Sequence, residues 1–383
     1  MGHVERMRLA IVCVILAPAV ASAAPELVPD RVVVVGRVGT RAWTDAATEA
    51  RLDQPAELAA VVIGHRGGRR VILAPPSVAK VRLAGQALTT EALTGARLQW
   101  STVEPHGFRD QPAANGATSD FYSNVSTEPK SFGHWVGYDH IDYFERVVNP
   151  WGAPATIAAV VTSGEPAAQQ VPGLGTVRYK VEVEVAGKRL ASPGAEATDT
   201  AGVLPSVHRV SIRRGDDFLG QLSGYLLVPE VFGSAGGGRN HQTERFTGAD
   251  CADVMVGATR RMGRALAYTN VEGLPRYARP ISGIVELDEL GRTGKPITGV
   301  LPGDLIRLDF SRAIGNHSPR RWDHVAALWE DRSDPAGPAN GGPDGQLDGF
   351  DLVIHMGHPR LIIEPLSAAA PAAIDVLRWR GQN

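Results

Sequence analysis

The stretch GADCADVMVGATRRMG (Gly248 to Gly263) decides how the second half of this chain is read. Asp250 is a candidate helix N-cap, because a carboxylate there accepts from the unpaired N–H groups of the first turn. Val254, Met255, Ala258 and Met262 follow at helical spacing, and Gly263 suits the position just past a helix end. Cys251 therefore falls in the first turn of a predicted helix. The helix dipole favours negative charge there, so the thiol is expected to have a depressed pKa and to react as thiolate. The bland counterpart is a cysteine that packs as a small apolar side chain.

The cysteine count sharpens the choice. The 383 residues hold two cysteines, Cys13 and Cys251. Cys13 lies in the apolar run Leu9 to Val20, which follows Arg6 and Arg8 and precedes Ala21-Ser22-Ala23. That order is the pattern of a secretory signal peptide, expected over residues 1–23, and the run is too short for a membrane span. A lipoprotein reading of Cys13 sets Val12 at a position that wants a small residue and leaves Ala-Ser-Ala unused. The mature chain is then secreted or periplasmic with one thiol, which cannot form a disulfide within its own chain. The net charge of −2 argues against nucleic acid as a partner, and no later segment reads as a membrane span.

The first two hundred residues read as β-structure. RVVVVG (Arg31 to Gly36), AAVVIG (Ala59 to Gly64) and RRVILA (Arg69 to Ala74) are short and β-branched, and HRGG (His65 to Gly68) predicts a hairpin turn between the last two. In TVRYKVEVEVAG (Thr176 to Gly187), Val177, Tyr179, Val181, Val183 and Val185 alternate with charged residues, which predicts a strand with one wet face. Many such strands predict a sandwich-like module over residues 24–204. A short helix is expected near Asp45 to Leu52. The Gly/Ser/Asn/Pro-rich stretch from Val103 to Asp142 reads as a large surface loop with solvated histidines.

Residues 205–383 change character. DDFLGQLSGYLL (Asp216 to Leu227) reads as an amphipathic helix, and LPGDLIRLDF (Leu301 to Phe310), DHVAALWED (Asp323 to Asp331) and FDLVIHMG (Phe350 to Gly357) read as strands. A cysteine nucleophile needs a base, and histidine suits that role at neutral pH. His324 shares a strand face with Ala326 and Leu328, and His355 shares one with Val353. If the two strands pair antiparallel, both rings approach the Cys251 helix, with His324 exchanging the proton and His355 fixing its tautomer. His358, three residues on from His355, falls off that face. The counterpart for each is an inert core or surface histidine.

Four stretches in order resemble the NlpC-like family of cell-wall cysteine peptidases: VPEVFGS (Val228 to Ser234), GADCADVMVGATRRMG, LPGDLIRLDF, and DHVAALWED followed by LVIHMG (Leu352 to Gly357). The similarity spans roughly 215–366. It implies a papain-like α+β domain over 205–383, with Cys251 as nucleophile, His324 as base and His355 as the orienting residue. It implies no cofactor or metal, and a peptide substrate in the peptidoglycan stem. Backbone N–H groups at the start of the Cys251 helix would stabilise the oxyanion.

The departures from the family pattern are specific. Glu230 stands where the family usually has a tyrosine, with Tyr225 and His241 as possible substitutes. Ala252-Asp253 replaces Ser-Gly. The Asp-rich segment Asp331 to Asp351 reads as a polar hairpin loop, with calcium binding as the alternative, although its spacing is not that of an EF-hand. The rival to an enzyme is a non-catalytic extracellular binding or scaffold protein with a degenerate peptidase domain. The sequence leaves the oligomeric state open.

Overall fold

The computed structural model describes residues 26–107, 121–164, 171–236, 241–288, 296–312 and 321–381. The expected signal peptide lies outside them. The fold is mostly β. In the N-terminal half, β1 (Leu27–Val38) pairs antiparallel with β2 (Ala56–Arg66), which turns into β3 (Arg69–Ala74). The predicted hairpin is present: Arg66 faces Arg69, and Gly67 and Gly68 take the left-handed backbone (φ 57° and 79°) that a two-residue turn requires.

A second sheet holds β4 (Arg97–Pro105), β5 (Tyr143–Ala153), β6 (Gly175–Val185) and β7 (His208–Arg213), in the spatial order β5-β4-β6-β7. Val32, Val34, Leu58, Ala60 and Val62 of the first sheet share a core with Leu98, Trp100, Tyr179, Val181 and Val183 of the second. β7 begins just past the 204/205 division yet pairs with β6, because Val210 and Ile212 bury in this same core.

Three local expectations change. The helix expected near Asp45 to Leu52 is a strand, Thr48–Arg51, laid parallel to β7. Sheet pairing outweighs weak local helix propensity there. Arg178, expected on the wet face of β6, is buried, because its guanidinium donates to the carbonyls of Arg245 and Phe246 at 2.9 and 3.0 Å. The loop before Asp142 is a solvated surface only in part: His134 and His140 are exposed, as expected, but other positions are not. Tyr122, Ser123, Asn124, Asp139 and Ile141 are all buried.

The second half begins with α1 (Phe218–Ser223), capped by Asp217, whose carboxylate accepts from the Gly220 N–H at 2.6 Å. It is shorter than expected and buried on every side, so it is a core helix instead of an amphipathic one. Next comes α2 (Cys251–Arg261). The sheet behind it contains β8 (Leu305–Asp309), β9 (His324–Glu330), β10 (Leu352–Met356), β11 (Leu361–Pro365) and β12 (Ala373–Trp379). They pair antiparallel in the order β12-β8-β9-β10-β11. Val254, Met255 and Ala258 of α2 pack in one cluster with Val325, Ala327, Ile354 and Met356 of the sheet. The opposite face is closed by Ile306, Leu308, Leu328, Val353 and Val376. No helix of the described residues is long and apolar enough to cross a membrane.

The N-terminal half grips α2 at both ends. At its C-terminal end, Arg261 donates to Glu49 at 2.6 Å, and Glu49 also accepts from Arg209 at 2.6 Å. Near its N-terminal end, Asn124 donates to Gln242 at 2.6 Å and to the Gly233 carbonyl at 3.3 Å, while the Gly233 N–H donates to Asp250 at 3.0 Å. One hydrophobic core runs through both halves.

Candidate active site

Asp250 caps α2 as its sequence foretells: its carboxylate accepts from the Asp253 N–H at 2.7 Å. Cys251 is the first helical residue, a free cysteine left partly exposed. The backbone N–H of Val325, the neighbour of His324 on β9, is close enough to its sulfur to favour the thiolate. The helix start and the start of β9 thus meet at the thiol.

The two histidines come together as the strand register requires. Ala326 lies opposite His355, so His324, two residues before Ala326, shares the His355 face. His324 Nε2 and His355 Nδ1 are 2.9 Å apart, with the rings edge to face. His355 Nε2 lies 2.9 Å from Glu364 on β11. Glu364 sits opposite Val353, two positions along from His355's partner Ile362, and so reaches the same face. Because a carboxylate accepts the His355 Nε2–H, His355 Nδ1 is left to accept from His324 Nε2–H, and His324 Nδ1 becomes the basic nitrogen. Among the described residues, no hydrogen bond engages that nitrogen. Glu364 was not foreseen; its only sequence signal is a lone acid inside the apolar strand Leu361–Pro365.

The electrostatics differ from the expected thiolate. Desolvation and then Asp250 push the Cys251 thiol well up, with Asp253 and Glu230 adding to the effect; the Val325 N–H opposes them. Burial, and then His355, hold His324 well below the ordinary imidazole range. The resting pair is therefore a neutral thiol and a neutral imidazole. Burial of the sulfur is the largest cause, with Asp250 next. Asp253 is itself pushed well up by burial and by Asp250, and it accepts from Ser234 Oγ at 2.8 Å and the Ala235 N–H at 2.7 Å.

Glu230 lies near the start of α2. Its backbone bridges Ala249, next to Asp250, and its N–H donates to the Pro359 carbonyl at 2.8 Å. Its carboxylate is 2.9 Å from His358 Nδ1. The two substitutes suggested for the missing tyrosine lie elsewhere. Tyr225 is buried, stacked on Phe246 and set against Gly257 in the middle of α2. His241 precedes the short helix Gln242–Arg245 and packs on Tyr268. A small cavity of about 20 Å³ is lined by Arg178, Leu227, Pro229, Phe246, Pro359 and Arg360; neither Cys251, His324 nor His355 lines it.

The Asp-rich segment spends its carboxylates on its own backbone. Asp331 accepts from the N–H groups of Asp344 and Gly345, Asp348 from Phe350, and Asp351 from Arg332 and Asp348. Among the described residues, no group of three or more His, Cys, Asp or Glu side chains is arranged to hold a metal ion.

No family model, curated protein or solved structure matches the chain.

Proposed function

We propose that the protein is a secreted or periplasmic cysteine hydrolase with a papain-like C-terminal domain, similar to the NlpC-like peptidases, acting on an amide bond. The observation that carries this reading is the meeting of Cys251 with β9 beside the relay His324–His355–Glu364. A thiol, a neutral imidazole with one basic nitrogen and a carboxylate-anchored second imidazole are the parts that acyl transfer needs.

The neutral resting pair sets the order of events. His324 Nδ1 takes the thiol proton as the sulfur bonds to the carbonyl carbon, and the carbonyl π pair moves onto oxygen. His355, held by Glu364, keeps His324 oriented and stabilises the charge it acquires. When the carbonyl re-forms, the C–N bond breaks and His324 gives its proton to the departing amine. Water, deprotonated by the same nitrogen, then adds to the thioester carbonyl; the C–S bond breaks to release the acid, and His324 returns the proton to the sulfur. Backbone N–H groups at the start of α2 favour the oxyanion. By resemblance, the substrate is a stem peptide of peptidoglycan.

The raised thiol pKa favours a second reading, a degenerate domain acting as an extracellular scaffold. The experiment separating the two is incubation with defined muropeptides and mass analysis of the products. The hydrolase reading expects cleavage that Cys251→Ala abolishes. Intact muropeptides, or equal cleavage by Cys251→Ala, would support the scaffold.

A further inference from the structure

A guanidinium keeps its charge in a folded protein, so burying one calls for a negative partner. Arg307 and Arg378 follow that rule. Both are buried, and their Nε groups donate to Asp375 at 2.8 Å and to Asp304 at 2.7 Å. Arg178 on β6 departs from it, although at 6% exposure it is buried more deeply than either. Its Nη2 donates to the carbonyls of Arg245 and Phe246, which carry no net charge. Among the described residues no carboxylate pairs with Arg178, and no hydrogen bond engages its Nε or Nη1. The acids of the neighbouring arginines are taken: Glu49 holds Arg209 and Arg261, and Asp199 holds Arg245. Burial lowers the Arg178 pKa to about 10, against Tyr143 and with Arg209 and Arg245, so the group is still a cation at neutral pH.

Arg178 lines the small cavity that lies among β4, β6 and the turn after β10. Its volume of about 20 Å³ admits one body of about the size of a water molecule. Arg360 lines the same space. So does Glu104, but that carboxylate is already engaged: it accepts from Arg146 Nε at 2.8 Å, Thr102 Oγ1 at 2.5 Å and the Gly164 N–H at 3.0 Å.

We propose that this cavity is a structural site for one small monovalent anion, chloride in size and charge, held by the Arg178 guanidinium. The anion supplies the negative charge that the chain itself withholds. A water there would satisfy an N–H but leave the buried charge unbalanced, and sulfate or phosphate exceeds the space. Because Arg178 also grips the carbonyls of Arg245 and Phe246, and the chain runs from there into α2, the anion would fasten β6 to the segment that leads to the thiol. The site needs neither Cys251 nor its histidines, so it stands even if the hydrolase reading falls.

Urea unfolding of the full chain at pH 7 tests the site, with sodium chloride exchanged for sodium gluconate at constant ionic strength. Gluconate is far too large for the cavity. An anion bound only by the folded chain multiplies the folded-to-unfolded ratio by one plus its concentration over its dissociation constant. With a dissociation constant of about 20 mM, about 200 mM chloride raises that ratio about tenfold. Arg178→Met, similar in length and uncharged, is expected to respond by less than about twofold. A second measurement needs no variant. Crystals of the parent grown in bromide, which replaces chloride and scatters anomalously, are expected to show an anomalous peak in contact with the Arg178 guanidinium. Equal stability of the parent in the two salts would mean that water fills the cavity, and the proposal falls. A chloride response in Arg178→Met equal to the parent's places the anion elsewhere and also overturns it. If Arg178→Met does not fold, the bromide map decides: a peak at Arg178 supports the site, and its absence removes it.

Discussion

His208 on β7 and His324 on β9 are two imidazoles whose pKa burial pushes down, and they end in different circumstances. His208 is driven to about 4, mostly by desolvation and then by Arg209. Its Nε2 lies 2.9 Å from the Thr48 hydroxyl, and its buried Nδ1 has no hydrogen-bond partner. His324 is also desolvated, but it faces a second imidazole and, through it, a carboxylate. Burial alone yields an inert neutral ring. A polarised ring needs a partner that gains stability when the proton arrives, and only the C-terminal sheet provides one.

The largest effects should come from breaking the relay in sequence. On the proposed mechanism, His324→Ala removes the base, and activity should fall at least 10³-fold. His355→Ala removes the orienting ring and should cost 10- to 100-fold, with a larger effect on kcat than on KM. Glu364→Gln keeps an acceptor for His355 but removes the charge, so its loss should be the smallest of the three. Steady-state muropeptide kinetics measure all three. A Glu364→Gln loss exceeding that of His324→Ala would reverse the ranking and show that the carboxylate acts directly on substrate.

The other histidine predicts a stability effect. His208 has a folded pKa of about 4 against an ordinary value near 6.5. Its folded pKa is depressed, so the unfolded chain binds the proton first as pH falls. The neutral ring costs nothing above pH 6.5, and stability drops between there and about pH 4. The loss is about 2 kcal/mol from pH 7 to pH 5 for a group so shifted. Urea unfolding at the two pH values should show a steeper acid loss in the parent than in His208→Gln, while muropeptide turnover relative to the parent stays unchanged at pH 7. Equal slopes would mean that the ring is not neutral in the folded protein, and the contrast with His324 would lose one of its sides.

How far these regions were legible follows from the range of their contacts. Alternation along Thr176 to Gly187 gave the inner face of β6, because side-chain direction in a strand repeats every two residues. Gly67 and Gly68 gave the hairpin. The α2 cap and the meeting of His324 with His355 also came from local pattern, since strand parity and antiparallel pairing alone bring the rings together. Thr48–Arg51 was missed because its strand character comes from β7, some 160 residues away in sequence. Asn124 and Asp139 were misjudged because their polarity resembles that of a solvated loop. In the fold, Asp139 accepts from Ser123 and Asn124 accepts from the Asp139 N–H. The thiol's electrostatics were misjudged because burial and the neighbouring Asp250 raise its pKa, and a helix-dipole argument counts neither.

The smallest effect tests whether the N-terminal half merely adjoins the site or holds it. Glu49 lies on the strand Thr48–Arg51, at the same sheet edge as His208, and takes Arg209 and Arg261 together. Burial works against its charge, yet the two guanidinium groups hold its carboxyl below the ordinary range. Arg261 is the last residue of α2, ten positions on from Cys251, so this contact fixes the far end of the helix that presents the thiol. Glu49→Gln leaves two partly buried cations facing an amide and should cost about 1–3 kcal/mol, less than breaking a fully buried pair because all three side chains keep some solvent. The stabilisation belongs to the ionised carboxylate, so the gap between parent and variant should shrink as pH falls through the depressed pKa of Glu49. Urea unfolding from pH 7 down to pH 3 measures it. The Cys251 alkylation rate, followed in parallel, tells the two roles apart: a stability loss with an unchanged rate makes the clamp purely structural, while a rate that drifts with the loss means that the N-terminal half sets the thiol's position through α2.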